Sequence, residues 1–411
     1  MQFGIFDDSF ISNFFPITYS RSFALVRTGF YTQKEFFSQV FGQPITYLKT
    51  IPHLQKFYRN SSDEFSFKTT NEDIILINSR IRNIQEIKTD IQNLKNCGDS
   101  LWNHEILLAI RISGNDLNSF FSADNVHSFS KHKFAIETEL FLHSWELILQ
   151  NHKTMTDQLP YFLQEKQFNV HTENYQNQSI GSGNIYVGKN VFVHPFVSFD
   201  LRHGDIILDN HSEIMAHSAL SGPCYVGEHS KIKIGAKIYK NTIIGPVCKI
   251  GGEVEDVIIQ GYSNKQHDGF LGHAFLGEWC NLGADTNNSD LKNNYASVDI
   301  WENGKMVDTG SQFMGAIFGD HSKTGINTQL NTGTVVGFSS NIFGSGFPDR
   351  LIPSFYWSAD GRLLDYRMNK AKETAKIVMG RRNVEFTDSY SALFDDIKIL
   401  SGIEQNSIKK K

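Results

Sequence analysis

The chain has only four cysteines in 411 residues, Cys97, Cys224, Cys248 and Cys280. They show neither metal-ligand spacing nor the density of a disulfide scaffold, so a reducing, cytoplasmic setting is expected. No apolar run reaches the ~18 residues of a membrane span, and no spanning helix is expected. The opening Met1-Gln2-Phe3-Gly4-Ile5-Phe6-Asp7-Asp8 has acids where a secretory leader needs a basic stretch. Positive charge is not in excess either: 39 Lys and Arg stand against 44 Asp and Glu, for a net charge of −5. That balance gives no general attraction to nucleic acid or to an anionic membrane, and neither is expected as a partner. The basic end Lys409-Lys410-Lys411 is expected to be a solvated terminus.

What is present is periodicity. Ile214, Leu220, Val226, Ile232, Ile238, Ile244 and Ile250 stand at a strict spacing of six. A second ladder runs Phe318, Thr324, Leu330, Val336 and Ile342, with Gly319, Gly325 and Gly337 just after three of its members. Neither a helix nor an alternating strand has this period. It is the signature of a parallel β-helix of hexapeptide repeats, in which each hexad forms one side of a triangular prism. The aliphatic residue points inward and stacks on its counterpart one coil away, about 4.8 Å off. The following Gly or small residue is expected at the corner, where positive φ costs Gly little.

A chain of this length exceeds the ~250–300 residues of a single core, so more than one domain is expected. Residues 1–170 carry no hexads and read as an α/β domain with a layered sheet. Asp73 to Asn78 and Glu105 to Ile112 read as strands. Ile81, Ile84, Ile87, Ile91 and Leu94 read as a helix closed by Gly98, and Phe134 to Gln150 as a second helix. Residues 180–350 form the β-helix, interrupted from Glu253 to Phe270 and from Asn287 to Gln312. Both interruptions are expected to leave the prism as loops, and Asn303-Gly304 reads as a hairpin turn in the second. Residues 351–411 form a partly helical tail. Ala371, Ala375 and Val378 lie on one face of a helix from Tyr366 to Met379, expected to cap the open end of the prism.

One stretch is more specific than the hexads. Gly261-Tyr262-Ser263-Asn264-Lys265-Gln266-His267-Asp268-Gly269-Phe270-Leu271-Gly272 is followed by Asn281-Leu282-Gly283-Ala284-Asp285-Thr286. This resembles the acetyltransferase half of the bifunctional family that acetylates glucosamine-1-phosphate and uridylylates the product. That family has a histidine five residues before the Gly of a Leu-Gly pair, then an Asn-Ile-Gly-Ala-Gly-Thr run. Phe318-Gly319-Asp320 with Thr328-Gln329-Leu330 resembles its next coil. The resemblance implies acetyl-CoA as cosubstrate and His267 as the base that takes the amine proton, a task suited to imidazole. It implies that Asn281 holds the amine or thioester and that the Ala284 N–H stabilises the oxyanion. Lys249, where an Arg is expected, with Tyr262 and Lys265, would bind the sugar phosphate. A homotrimer is implied, with acyl-CoA between subunits. Asp285 replaces a Gly and Glu255 falls near an expected lysine, so the acceptor sugar differs or the site is weakened.

The Gly-rich phosphate loop of a nucleotidyltransferase is absent from the N-terminal domain. Phe15-Pro16-Ile17-Thr18-Tyr19-Ser20-Arg21-Ser22, Arg27 and Asn78-Ser79-Arg80 instead resemble a divergent sugar nucleotidyltransferase-like family found before hexapeptide domains. The resemblance implies nucleotide phosphate contacts at Arg21, Arg27 and Arg80, and Mg²⁺ at Asp7 or Asp8. Three readings follow. The first is acetyl-CoA-dependent N-acetyl transfer to a phosphorylated or nucleotide-linked amino sugar, with an N-terminal domain that binds or makes the nucleotide sugar. The second is nucleotidyl transfer from UTP or dTTP to a sugar-1-phosphate, with the β-helix as scaffold. The third is a non-catalytic assembly platform.

Overall fold

The computed structural model describes residues 1–61, 64–123, 126–170 and 178–409. The expectation for the basic end falls on Lys410 and Lys411, outside the described residues. Among the described residues no helix is long and apolar enough to cross a membrane.

The N-terminal domain is built on a six-stranded sheet. Its central strand, Gln2–Phe6, pairs in parallel with Ile45–Lys49 on one side and Ile74–Asn78 on the other. Ile106–Ile112 continues the sheet antiparallel to Ile74–Asn78, followed by Asp99–Asn103 and His132–Ala135. Alternate residues feed two cores. Phe3, Ile5, Ile75 and Ile77 enter one, while Phe6, Ile74, Leu76 and Leu107 enter the other. Both faces are covered, which is why Ile74 to Ile77 reads as an unbroken apolar run.

Both helices expected in this domain are corrected. Ile81, Ile84, Ile87, Ile91 and Leu94 are all buried, but only Lys88–Gln92 is helical. The rest is irregular chain whose isoleucines happen to fall three apart. Phe134 and Ala135 belong to an edge strand, only Glu146–Leu149 of the expected span is helical, and the long helix follows at Asn151–Lys166. Sheet pairing there overrides local helical pattern.

The second domain is a left-handed β-helix with three parallel sheets as its sides. Coils repeat every 18 residues: Ile214 pairs with Ile232, Leu220 with Ile238, and Val226 with Ile244. All seven members of the first ladder are buried in the prism core. The corner expectation is corrected. The left-handed backbone falls three residues after most ladder positions, at His217, His229, Gly235, Asn241, Val247, His321 and Gly333 among others, though not after Leu220, Ile250 or Ile342. The glycines directly after ladder residues answer a different need, close approach between coils. A Cβ on Gly245 would lie 2.2 Å from the Gln260 carbonyl oxygen.

Glu253 to Phe270 does not leave the prism. Its strands Glu253–Glu255, Ile258–Gly261 and Asn264–Lys265 continue the three sides with tightened corners. Of Asn287 to Gln312, Asn287–Asn288 still pairs with Gln329–Leu330 in the prism, and the chain leaves after it. It carries the hairpin Asp299–Glu302/Lys305–Asp308, with Asn303 and Gly304 both at positive φ. Asn303 Nδ2 reaches Asn13 Oδ1 at 2.7 Å, so the hairpin braces the N-terminal domain.

The two domains share one core. Ile207, Tyr225, Ile243, Ile258, Phe275, Ile317 and Val335 point outward from one side of the prism, paired in register coil upon coil. All seven belong to the cluster that contains Phe3, Phe14 and Phe23. Each such burial contributes on the order of 1.5–3 kcal/mol. The end cap is also corrected: the strands Tyr356–Ala359 and Arg362–Asp365 close the last coil. The tail helix Met368–Gly380 buries Ala371, Ala375 and Met379, while Val378 is only partly covered. The next helix, Asp388–Leu400, packs on Pro52–Ser61 of the N-terminal domain, with Phe57 and Tyr390 rings 5.9 Å apart.

Candidate functional site

On one side of the prism the strands are two residues long, one pointing inward and one outward. The inward row is Ile214, Ile232, Ile250 and Lys265. The outward row is Lys231, Lys249, Asn264, Asn281 and Lys323, each beside the next. A cavity of about 300 Å³ opens over this outward row. Lys249, Asn264, Asn281 and Lys323 form its floor, and Arg381 and Arg382 reach it from the tail. Arg382 donates from Nη2 to Asn264 Oδ1 at 3.3 Å. The neighbouring corner supplies Tyr262 and Trp279, stacked at 4.4 Å.

Among the described residues no carboxylate lines this cavity. Burial and the like charges of Arg382, Lys231, Lys233 and Arg381 pull the Lys249 ammonium below its usual range. Burial pushes Lys323 down to about 8. Its Nζ donates to the His321 carbonyl at 2.8 Å. An uncompensated group of cations is a receptor for an anion.

The structure thus brings together Lys249, Tyr262 and Asn281 of the sequence-derived set. Lys265 is placed elsewhere: it takes an aliphatic slot inside the prism and is 1% exposed. Its Nζ donates to the carbonyls of Gly251 (3.1 Å) and His267 (3.0 Å). His267 is exposed just beyond Gln266, which lines the cavity, and does not itself line it. Ala284 is half-buried three residues past Asn281, also outside the lining. Lys323, Trp279, Arg381 and Arg382 escaped the sequence reading. Lys323 precedes ladder residue Thr324 as Lys249 precedes Ile250, so the register marked it. The Arg381-Arg382 pair carries no sequence signal that the tail folds back here.

A larger cavity, about 890 Å³, lies at the carboxyl ends of Gln2–Phe6 and Ile45–Lys49. Asp7, Asp8, Lys49, Thr50, Arg59 and His127 are among its walls. The carboxyl ends of parallel strands are where open α/β sheets bind ligands. Asp7 accepts hydrogen bonds from the Thr50 and Ser79 hydroxyls, and burial raises it to about 6. Asp8 accepts from Arg80 Nε at 2.9 Å and Nη2, and from Asn78 Nδ2. Both carboxylates are committed to protein donors, and this arrangement does not fit a resident Mg²⁺, which needs open oxygen ligands.

The three arginines expected at phosphate are likewise engaged inside the molecule. Arg80 also donates to the Phe141 carbonyl at 2.7 Å. Arg27 donates to the carbonyls of Phe30 and Gln260. Arg21 holds both oxygens of Asp320, on the prism. Arg21 and Arg27 therefore stand between the domains and do not line the larger cavity. A buried guanidinium needs acceptors for its fork of donors, and these positions supply them.

Residues 4–167 match the family model described as sugar nucleotidyl transferase. The chain is 30% identical over 143 residues to a bifunctional sugar-1-phosphate nucleotidylyltransferase/acetyltransferase of Sulfurisphaera tokodaii, covering 34% of this chain and 35% of that protein. It is 28% identical over 145 residues to the bifunctional protein GlmU of Methanococcus vannielii, covering 35% of this chain and 34% of that one. The match thus spans about a third of the length of these relatives. Among solved structures, a variant of AntD, an N-acyltransferase from Bacillus cereus in complex with dTDP and coenzyme A, is 14% identical with a TM-score of 0.23. That likeness covers 52% of this chain and 98% of AntD, and at its TM-score it carries no argument. The family match and the curated relatives bear out the resemblance to the bifunctional nucleotidyltransferase/acetyltransferases.

Proposed function

We propose that the β-helix domain transfers an acetyl group from acetyl-CoA to the amine of a phosphorylated or nucleotide-linked amino sugar, and that the N-terminal domain binds or makes the nucleotide sugar. The observation that carries this reading is the carboxylate-free cavity where Lys249 and Asn281 converge with Lys323. The cations hold the phosphate, and the Asn281 amide orients the amine against the thioester. The amine nitrogen then attacks the thioester carbonyl, the C–S bond breaks, and the departing thiolate takes up a proton. His267 relays that proton in this scheme, and the neighbouring copy of a homotrimer encloses its exposed ring. Acetylation of amino-sugar phosphates by the purified chain tests the reading. His267→Ala is expected to lower kcat by about 10²–10⁴-fold with the oligomer intact. Unchanged turnover would remove His267 from the mechanism, and no acetylation of any amino sugar would reject the transfer reading.

The cavity at the strand ends favours a second activity, nucleotidyl transfer to a sugar-1-phosphate. Release of pyrophosphate from UTP or dTTP in the presence of sugar-1-phosphate tests it. Nucleotide turnover without CoA-dependent acetylation would leave the prism as scaffold.

A further inference from the structure

The tail delivers two arginines to a cavity that the prism has already made cationic. Lys249, Lys323, Arg381 and Arg382 converge there, and none of them has a carboxylate partner among the described residues. Two basic residues close by in the same elements are paired instead. Lys231, in the same outward row as Lys249, meets Glu213 at 2.6 Å, and Lys372, on the tail helix, meets Asp395 at 2.8 Å. The cavity thus gathers four cations that have no carboxylate partner among the described residues. Like charges held together cost stability unless a counter-charge joins them. Asn264 engages one N–H of Arg382, which fixes the side chain and leaves the rest of its planar fork for an oxyanion.

We infer that the C-terminal segment is a working part of this site: Arg381 and Arg382 bind a phosphate group of the substrate jointly with Lys249 and Lys323, and so set the pocket's preference for phosphorylated over neutral acceptors. The inference rests on the reading of this cavity as the substrate pocket. It makes the anion site complete within one chain, because prism and tail both come from that chain. It also explains why the tail runs back along the prism when the hairpin Tyr356–Ala359/Arg362–Asp365 already closes the last coil.

Calorimetric titration of the intact protein with inorganic pyrophosphate at low salt tests it, with inorganic phosphate, a hexosamine-1-phosphate and free glucosamine as parallel arms. Arg381→Gln and Arg382→Gln are each expected to weaken phosphate-bearing ligands about 10-fold, the loss of one charge-assisted contact. The double variant should lose on the order of 30-fold or more. Arg382→Lys, which keeps the charge and loses the fork, should fall between. Lys376→Gln, exposed on the tail helix that precedes the two arginines and outside the cavity lining, should change nothing. Tighter binding of phosphate or of pyrophosphate tells a sugar phosphate from a diphosphate-linked sugar, and either supports the inference. Wild-type affinity for all phosphate species no better than for free glucosamine would overturn it. So would a folded double variant, or a folded Arg382→Lys protein beside an unfolded double variant, that binds pyrophosphate within about twofold of wild type. Failed acetyl transfer with anion binding and its loss intact would reject the transfer reading alone.

Discussion

Arg21 and Asp320 lie 299 residues apart and meet in a bidentate pair, Nη1 to Oδ1 at 3.0 Å and Nη2 to Oδ2 at 2.6 Å. Glu278 stands 3.1 Å from the same guanidinium, and the Ser20 hydroxyl donates to Asp320. The cluster fastens the loop after Phe15 to two successive coils of the prism. Removing one partner leaves an uncompensated buried charge, which costs about 3–5 kcal/mol. Arg21→Ala should lower stability by that order in urea unfolding, and Arg21→Ala with Asp320→Ala should cost less than the sum of the singles. A stable Arg21→Ala protein that loses nucleotide affinity would mean the arginine serves a phosphate instead.

Lys265 is an ammonium in a row of isoleucines. Burial lowers it to about 8 from an ordinary 10.5. Between those values the unfolded chain holds a proton that the folded chain has released, so this group adds stability as pH rises from about 8 to 10.5. Lys265→Met should remove that slope and raise stability at pH 7 by roughly 1–3 kcal/mol, as apolar replacements of buried charge often do. Unfolding curves at pH 7 and pH 10 check this. A loss of stability at both would show that the bonds to Gly251 and His267 outweigh desolvation.

Glu404 has the opposite sign. It is fully buried, accepts the Ser354 N–H at 2.6 Å, and is raised by burial to about 7 from 4.5. Between those values the folded chain keeps a proton that the unfolded chain loses, so stability falls as pH rises through this window. Glu404→Gln should flatten the profile and leave the variant more stable than wild type at pH 8, by roughly 1–3 kcal/mol. Parallel pH profiles in both proteins would contradict the assignment.

Gly337 tests the reason for the prism glycines. A Cβ there would lie 2.3 Å from the Ser354 nitrogen, although its φ is not left-handed. Gly337→Ala should cost about 1–3 kcal/mol by overpacking. Gly235, at φ +72 with nothing within 4 Å, should cost less, and by backbone strain alone. The midpoint of thermal unfolding in the two variants separates the mechanisms. Equal losses would mean that conformation matters at both.

The prism was legible because its period belongs to no other regular structure, and Ile214 to Ile250 kept it without a miss. Asn303-Gly304 was legible for a similar reason, since few dipeptides adopt positive φ in succession. Ile81 to Leu94 misled because a spacing of three can be buried without forming a helix. At the site, Lys249 and Asn281 were readable by register and resemblance. Lys265 looked like their companion, but its coil is shortened and the alternation turns its side chain inward.

What the sequence by itself determined about this protein is the repeat, the inward row of each side and the order of its domains. Those depend on neighbours in the chain, or on neighbours one fixed period away. Only the tertiary structure decided which outward side is covered, that Arg21 faces Asp320, and that Arg381 and Arg382 meet Lys249. Such contacts join residues separated by no period, and the burial that fixes them exists only once sheet, prism and tail have packed together.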